Sequence, residues 1–600
     1  MLALMLVLVA GDRSVRGAEG VNRQGADETF EAALTALGAK CDELGLQEQG
    51  RVSRRWFIPR DPRRAYLFFP LEVDLAEPAD DAPRLLQYWH AKFMELREQQ
   101  AERLFKLARQ AADSGDEAMA YRLLHEVLHE DPEHAQALRI LGYRRGQRER
   151  RPSSRRVSGR SEPGPHRLLG WTRDECWRIE SQHFRVTTNC PPNVGREVTR
   201  YLERVHAVWR QLFYPYWSVS GRLVARFQGE DRALGPVPTF SVVLFRNRED
   251  YVRELGTAEP RIEMSVGYYS HTHEIAFFHA GNESGRTTWV HESAHQFFQE
   301  QGMVDSRVGE RRNFWVVEGL ALYMESLRDH GTYATTGGAD AERLQFARFR
   351  KLSQHDYVPL AELIQYGQEQ MQQASAIRKL YSHSAGLTHF LIHGDQGRSM
   401  RPFMDYVKAV YRGVAGPETL KRKMEVPLAE LDQGYQEYLN VTDADLRFVN
   451  PNARSLCLAH SEVTDAGLGR LSPLEELRWL DLSFTGVSDA GLAPFAESRE
   501  LEQLNLEKTR ITDAALDMVA RFRNLKELDL SRTAVTDEGV RKLSGLSRLK
   551  VLWLTGTRIT DEGLSALTSL RNLERLDVQS SRVTSAALDQ LRQRLPRLKE

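Results

Sequence analysis

The sequence predicts a multidomain chain, with an α-helical N-terminal region, an α+β middle segment and a C-terminal α/β solenoid. Three observations carry that fold class. The chain has 600 residues, too many for one core at ~100–200 residues per domain. A short acidic turn recurs every 24 residues through the last quarter, and a fixed period of this size marks a solenoid. Between the array and the N-terminal helices, helical and strand periodicities alternate around a group of histidines and glutamates. Composition agrees: 41% hydrophobic and 28% charged residues support packed cores, and a mean hydropathy of −0.50 excludes a polytopic membrane protein. The 82 Lys and Arg against 83 Asp and Glu leave a formal charge of −1, which names no polyanionic partner.

The first element is Leu2 to Ala10, nine apolar residues, too short to span a bilayer but long enough for the apolar stretch of a signal peptide. Gly17 and Ala18 supply small residues for cleavage, so residues 1–18 are expected to be a signal peptide and the chain to be exported, to the periplasm, the cell surface or the medium. Without that signal it is cytoplasmic. The four cysteines, Cys41, Cys176, Cys190 and Cys457, are too scattered for a disulfide framework; whether Cys176 and Cys190 pair stays open.

Residues 19–83 read as a small α/β region, a helix followed by strand-like runs at 56–58 and 65–69. Residues 84–145 are helical, with turns at Gly115-Asp116 and Asp131-Pro132 and small residues where two helices must approach. This stretch resembles the tetratricopeptide pattern over about one and a half units; a plain helical hairpin is the alternative. Residues 146–166 are rich in Arg, Ser, Pro and Gly with almost no apolar side chain, and are expected to form a mobile linker.

The array over 446–600 comprises six repeats, with turns at Thr464-Asp465, Ser488-Asp489, Thr512-Asp513, Thr536-Asp537, Thr560-Asp561 and Thr584-Ser585. All but the first are preceded by L-x-x-L-x-L or a close variant, such as Leu477/Leu480/Leu482 and Leu525/Leu528/Leu530. The pattern resembles a leucine-rich repeat solenoid, in which alternating leucines of a short strand point into a shared core. Thr485, Thr509, Thr533 and Thr557 stand where that family usually carries Asn and are expected to satisfy backbone groups at the bend. A mixed concave face, including Trp479, Asp481, Asn505, Asp529, Trp553 and Arg575, suits a protein partner rather than nucleic acid.

The chemistry lies between 167 and 445. His291-Glu292-Ser293-Ala294-His295 is HExxH in a helical context. Histidines four apart share one helix face, so both imidazoles can reach one metal ion, and Glu292 stands beside it. Downstream, Phe314 to Glu325 (FWVVEGLALYME) reads as a second helix, with Glu318 23 positions after His295. A catalytic zinc takes three protein ligands and keeps one open position. HESAH followed by WVVEGLALYME resembles the gluzincin zinc metallopeptidases of the peptidase MA superfamily. HExxHxxGxxH is absent, because Met303 and Val304 follow Gly302, and this argues against metzincins.

The resemblance implies an α+β metallopeptidase domain over 167–445 holding one Zn²⁺ per chain, with His291, His295 and Glu318 as ligands. It implies Glu292 as general base, and Tyr381 or His383 in the following helical subdomain as donor to the oxyanion. Glu325, two turns beyond Glu318, is read either as an acceptor for a ligand histidine or as a solvated glutamate. Val266–His279 alternates and suits the edge strand that holds an extended peptide in such enzymes. No G-x-M-E-N signature precedes His291, which favours an endopeptidase over an aminopeptidase. The expected function is therefore a zinc-dependent peptidase acting on peptide or protein substrates, with repeats that bind a protein partner or the substrate. The alternative is an inactive, or structurally zinc-bound, protein-binding scaffold.

Overall fold

The computed structural model describes residues 22–69, 77–143, 158–160, 168–169, 171, 176–257, 259, 262–281, 284–302, 304–373, 375 and 377–599. The signal-peptide expectation and most of the linker expectation lie outside these residues. Ser158–Arg160, within the stretch expected to be linker, instead forms a strand paired with Trp177–Glu180. The chain divides into two compact units, Met1–Pro59 with Phe68–Arg148 and Ser220–Leu234, and Arg60–Leu67 with Glu149–Val219 and Gly235–Glu600.

The first unit is helical. Helices Arg23–Glu43, Gln47–Trp56 and Arg84–Asp113 close on Phe30, Leu34, Cys41, Trp89 and Phe93. The stretch with the tetratricopeptide-like pattern is a helical hairpin whose first helix runs 30 residues. Gly115 turns the chain at φ 84°, and Asp116 caps the helix Glu117–Glu130 by accepting from Met119 N–H at 3.0 Å, as Asp does at this position. Beneath the hairpin Arg97 is fully buried. Its guanidinium donates to Glu130 at 3.3 Å and lies over the Trp56 ring at 4.3 Å, so the buried charge is paired rather than orphaned.

The region expected at 19–83 is not a separate domain. Its helices belong to the first unit, while its strand β1 (Arg64–Phe68) joins a separate, smaller sheet of three strands. The second unit is built on a mixed sheet of six strands: β2 (Ser158–Arg160), β3 (Trp177–Glu180), β4 (Phe184–Thr188), β5 (Phe240–Phe245), β6 (Tyr268–Ser270) and β7 (Ile275–His279). Their order is β2-β3-β4-β5-β7-β6. β5 lies parallel to β4 and β7, Val242 facing Val186 and Ala276. Val242, Val243, Leu244 and Phe245 are all buried, as a strand covered on both faces requires. The edge expected across Val266–His279 is a hairpin, in which β6 forms the edge and β7 the interior neighbour. Strands β8 (Arg328–Asp329) and β9 (Tyr333–Gly337) complete the smaller sheet. Cys176 and Cys190 are buried and unbridged.

The repeats form a parallel sheet of six strands, β10 (Ser455–Cys457), β11 (Trp479–Asp481), β12 (Gln503–Asn505), β13 (Glu527–Asp529), β14 (Val551–Trp553) and β15 (Arg575–Asp577). Each residue pairs with the one a full repeat later, Leu480 with Leu504 and Leu504 with Leu528. Leu477, Leu480, Leu482, Leu525, Leu528 and Leu530 are fully buried, each worth roughly 1.5–3 kcal/mol relative to an exposed side chain. The threonines at the bend bond within their own repeat: Thr485 Oγ1 donates to Leu482 O at 2.6 Å and Thr509 Oγ1 to Leu506 O at 2.7 Å. The tie between repeats is made by aspartates. Asp513 accepts from Thr536 N–H at 2.8 Å and Thr536 Oγ1 at 2.6 Å, and Asp489, Asp537 and Asp561 repeat the motif. Among the described residues no helix is long and apolar enough to cross a membrane.

Candidate metal centre

The motif helix, Ser284–Gln299, is fixed by one apolar face. Val290, Ala294, Phe297 and Phe298 are buried, and Phe297 packs on Phe240 of β5 at 4.8 Å between ring centroids. That seating turns the i, i+4 pair His291 and His295 to the flank of the helix about 90° from this face. The second helix, Phe314–Met324, is apolar almost all round and buried, so it is clamped on every side and its one carboxylate, Glu318, has a fixed direction. Gly319 permits this packing: a Cβ there would meet Thr388 Oγ1 at 2.3 Å and Ser384 O at 2.7 Å, so only glycine lets this helix lie against Ile377–His393.

The two helices bring three ligand atoms together. His291 Nε2 and His295 Nε2 are 3.1 Å apart. Glu318 Oε2 lies 3.6 Å from His291 Nε2, and Glu318 Oε1 lies 3.9 Å from His295 Nε2. Ligands at ~2.05 Å from a tetrahedral zinc are separated by ~3.4 Å, and the observed separations bracket that value. All three side chains are largely buried. Burial depresses His295 to about 4, keeping it neutral. For His291 burial acts in the same direction, but the Glu318 and Glu325 carboxylates outweigh it and lift the ring to about 10. Burial opposes the Glu318 charge too, yet the two histidines hold its carboxyl below the ordinary value. Two imidazoles and an anionic carboxylate converging on one point are the donor types of a divalent-cation site, and the raised His291 ring would give up its proton to serve as a ligand.

Glu325 resolves to the first of its two readings. Its Oε1 lies 2.8 Å from His291 Nδ1, so the ring presents Nε2 to the cluster. Arg343 grips the same carboxylate, Nε to Oε2 at 2.7 Å and Nη2 to Oε1 at 3.1 Å. Glu292 accepts from the Tyr269 backbone N–H of edge strand β6 at 3.0 Å. Burial raises its carboxyl to about 6, with His291 opposing and Glu318 adding to the shift. Gly267 makes that approach possible, since a Cβ there would meet Thr288 Cγ2 at 2.5 Å.

Tyr381 reaches the cluster: burial and then the Glu318 carboxylate raise its hydroxyl pKa. His383 does not. Two residues further along the same helix, it points some 200° away, is fully buried, and bonds Tyr435 Oη and Asp356 O, each at 3.1 Å. Of the two residues expected as oxyanion donor, the structure brings only Tyr381 to the site. Arg343 and Tyr269 were not visible in the sequence; Arg343 carries no motif, and Tyr269 acts through its backbone.

His183, Glu203 and His206 also lie close together. There Glu203 is already taken by the His183 backbone N–H at 2.8 Å and ring at 2.7 Å. Burial first, then His183, pushes His206 well below its ordinary value, so this group reads as a neutral ring beside a hydrogen-bonded pair in an aromatic core.

Residues 286–410 match a family described as "Protein of unknown function (DUF1570)", and residues 523–544 and 547–567 match a leucine-rich repeat. No curated protein matches. Among solved structures, a leucine-rich repeat protein of Leptospira interrogans is 21% identical over 25% of this chain and 37% of its own, with a TM-score of 0.20. An internalin (inlF) of Listeria monocytogenes is 18% identical over 24% of this chain and 45% of its own, with a TM-score of 0.20. Internalin C2 of the same organism is 23% identical over 26% and 72%, with a TM-score of 0.21. The chain thus spans less than half the length of the first two.

Proposed function

We propose that this chain is a zinc-dependent peptidase that cleaves within polypeptides, with leucine-rich repeats that hold the substrate or a protein partner. The observation that carries the reading is the convergence of His291 Nε2 and His295 Nε2, 3.1 Å apart, on the Glu318 carboxylate, whose Oε2 lies 3.6 Å from the first and Oε1 3.9 Å from the second, close to the ~3.4 Å between ligands of a tetrahedral zinc, with Glu292 alongside. A bound zinc would supply a water acidified from a pKa of ~15.7 towards ~7 and would polarise the scissile carbonyl.

The protein's own residues do the rest. Glu325 and Arg343 fix the tautomer and orientation of His291. Glu292 is held by Tyr269 N–H through Oε2, and Oε1 has no protein partner among the described residues. With its carboxyl near 6 it takes a proton from the attacking water and returns it to the leaving amine. The Tyr381 hydroxyl, kept protonated by burial and by Glu318, donates to the carbonyl oxygen as negative charge develops there.

The test measures zinc content and cleavage of a peptide library in wild type, Glu292→Gln and Glu318→Ala. Expected are about one zinc per chain in wild type and Glu292→Gln, cleavage in wild type alone with a loss of at least about 10³-fold in Glu292→Gln, and loss of zinc in Glu318→Ala. Full zinc retention in Glu318→Ala would overturn the ligand set. A zinc-loaded wild type that cleaves nothing would leave the scaffold reading instead.

A further inference from the structure

The repeats do not stand apart from the metal centre. An open cavity of about 980 Å³ runs between the concave face of the array and the helices Glu342–Arg348 and Ile377–His393. Two of its lining residues belong to the centre: Tyr381, which feels Glu318, and Arg343, which grips Glu325. The cavity therefore reaches, at one end, the side chains beside the candidate ligands. Its size, at the top of the ~300–1,000 Å³ range of small-molecule pockets, together with its openness to solvent suits a stretch of extended polypeptide.

Its walls differ in charge. The helical wall carries Arg343, Arg350 and Arg378, and the repeat wall carries Asp481, Glu507, Glu527 and Asp529, with Arg575 as its one cation, two strands beyond Glu527 at the same register. Three of the four repeat-wall carboxylates have partners, Asp529 through Ser531 N–H at 2.8 Å. Asp481 is held by Ser353 Oγ at 2.6 Å and Ser483 Oγ at 2.7 Å, and Glu507 pairs with Arg532 at 3.4 Å. Glu527 and Asp529, both on β13, have no ion-pair partner among the described residues. Burial raises Asp529 against the Ser531 hydrogen bonds, and the neighbouring Asp481 and Asp577 add to the rise, as like charges side by side do. Trp553 lies in register with Asp529 on the next strand and lines the same cavity, offering a flat apolar face to the alkyl stem of a long basic side chain.

We propose that this cavity is the docking channel for the substrate polypeptide, and that Glu527, Asp529 and Trp553 form a subsite for a lysine or arginine of that substrate, away from the scissile bond. The inference rests on the peptidase reading for its consequence, and on the cavity for its geometry. It makes the repeats a specificity element of the active site rather than a tether.

The test compares two fluorogenic peptides, identical around the cleaved bond and extended on both sides, one carrying arginines in the extensions and the other citrullines. The wild-type enzyme is expected to prefer the arginine peptide by about 10-fold or more in kcat/KM, mostly through KM. Glu527→Gln/Asp529→Asn is expected to reduce the preference to less than about 2-fold, while a short peptide lacking the extensions is cleaved at an unchanged rate. Glu527→Lys/Asp529→Lys should transfer the preference to a glutamate-bearing peptide. Equal handling of the arginine and citrulline peptides by wild type, or a preference that survives Glu527→Gln/Asp529→Asn, overturns the subsite. Anisotropy of the labelled arginine peptide on zinc-loaded Glu292→Gln protein separates the two readings. Binding lost on neutralising Glu527 and Asp529 upholds the channel even if wild type cleaves nothing, and cleavage without charge discrimination overturns the channel alone.

Discussion

Glu325 and Arg343 show how a single side chain's role depends on partners distant in sequence. The helical position of Glu325 made it a candidate acceptor for His291, but only the fold supplies Arg343, whose guanidinium fixes the carboxylate from another helix. Glu325→Ala is expected to lower zinc affinity about 10- to 100-fold without removing the site, read by competition with a chromophoric chelator. Unchanged affinity would return Glu325 to the solvated reading. The His291/His295 pair was legible because helix geometry alone sets its spacing, and Glu318 through the resemblance of WVVEGLALYME to the gluzincin motif. Tyr381 and His383 could not be told apart, because the phase of their helix against the site is set by packing at Gly319 and Gly386, where a Cβ would meet Ser384 O and Tyr435 Oη. Glu300 makes a second residue-scale case. Gln296 Nε2 and Tyr269 Oη donate to it at 2.9 and 3.2 Å, with no cation beside it, and burial raises its carboxyl to about 7. The folded state therefore binds this proton more tightly than the unfolded chain, whose carboxyl titrates near ~4.3. Stability from this group is complete below that pH, falls as pH rises towards 7, and is level above it. Glu300→Gln keeps an acceptor for both donors, so it should match wild type at pH 4 and exceed it by about 2 kcal/mol at pH 8 in urea unfolding. Equal stability at both pH values would refute the raised pKa.

At the scale of the element, the repeat explains its own consensus. The period and the strand leucines were legible because each strand buries the same positions. The reason for glycine in T-D-x-G-L was not, because it lies in the neighbouring repeat. A Cβ on Gly539 would meet Asp513 Oδ1 at 2.2 Å, and one on Gly563 would meet Asp537 Oδ1 at 2.2 Å. These are the aspartates that accept from Thr536 and Thr560. The third repeat provides an internal control. It carries Ala515 in place of glycine, and its helix begins only at Leu516, whereas helices in the glycine repeats begin at the aspartate, as at Asp537 and Asp561; the last repeat, with Ala587 there, keeps its helix start at Ser585 but caps Ala587 N–H instead of the residue before it. A methyl group at this position therefore goes with an altered first turn, a late start in one repeat and a shifted cap in the other. Gly539→Ala is expected to cost about 1–3 kcal/mol, the worth of the disturbed Asp513 hydrogen bonds, and to shorten protection of the helix Asp537–Lys542 in hydrogen exchange. Leu528→Ala, which empties a fully buried position, should cost about 2–5 kcal/mol. A Gly539→Ala protein as stable as wild type would show that the neighbouring aspartate is not what demands glycine.

At the scale of the second unit, the helix that holds Glu325 is also the seat of the repeats. Arg343 lies in Glu342–Arg348, which continues as a π-helical turn over Phe349–Ser353. That segment presents Phe346 and Phe349 to Trp479, with ring centroids at 5.9 and 5.1 Å, and Ser353 to Asp481. Gln345 Oε1 accepts from Cys457 N–H at 2.9 Å, and Asp340 Oδ2 from Asn450 N–H at 2.7 Å. None of these contacts could be read from the sequence, because Trp479 occupies an ordinary strand position of the repeat and differs only in what packs against it. The first two repeats are therefore part of the core that positions Arg343, and removing residues 446–600 would strip that core rather than leave the candidate metal centre intact. Trp479→Ala separates the two effects, since it deletes the ring and leaves both chain segments in place. The lost contacts should cost about 2–4 kcal/mol for a half-buried tryptophan. The cost should appear locally, as faster hydrogen exchange in Glu342–Arg348 and in β10 and β11, because each repeat contacts only its neighbours. β14 and β15 should keep their protection. A looser helix holds Arg343, and through it Glu325 and His291, less firmly, so zinc affinity should fall several-fold, by less than in Glu325→Ala. If exchange rises at β10 and β11 while Glu342–Arg348 and zinc affinity stay at wild-type levels, the repeats are seated on the helix without supporting the metal centre.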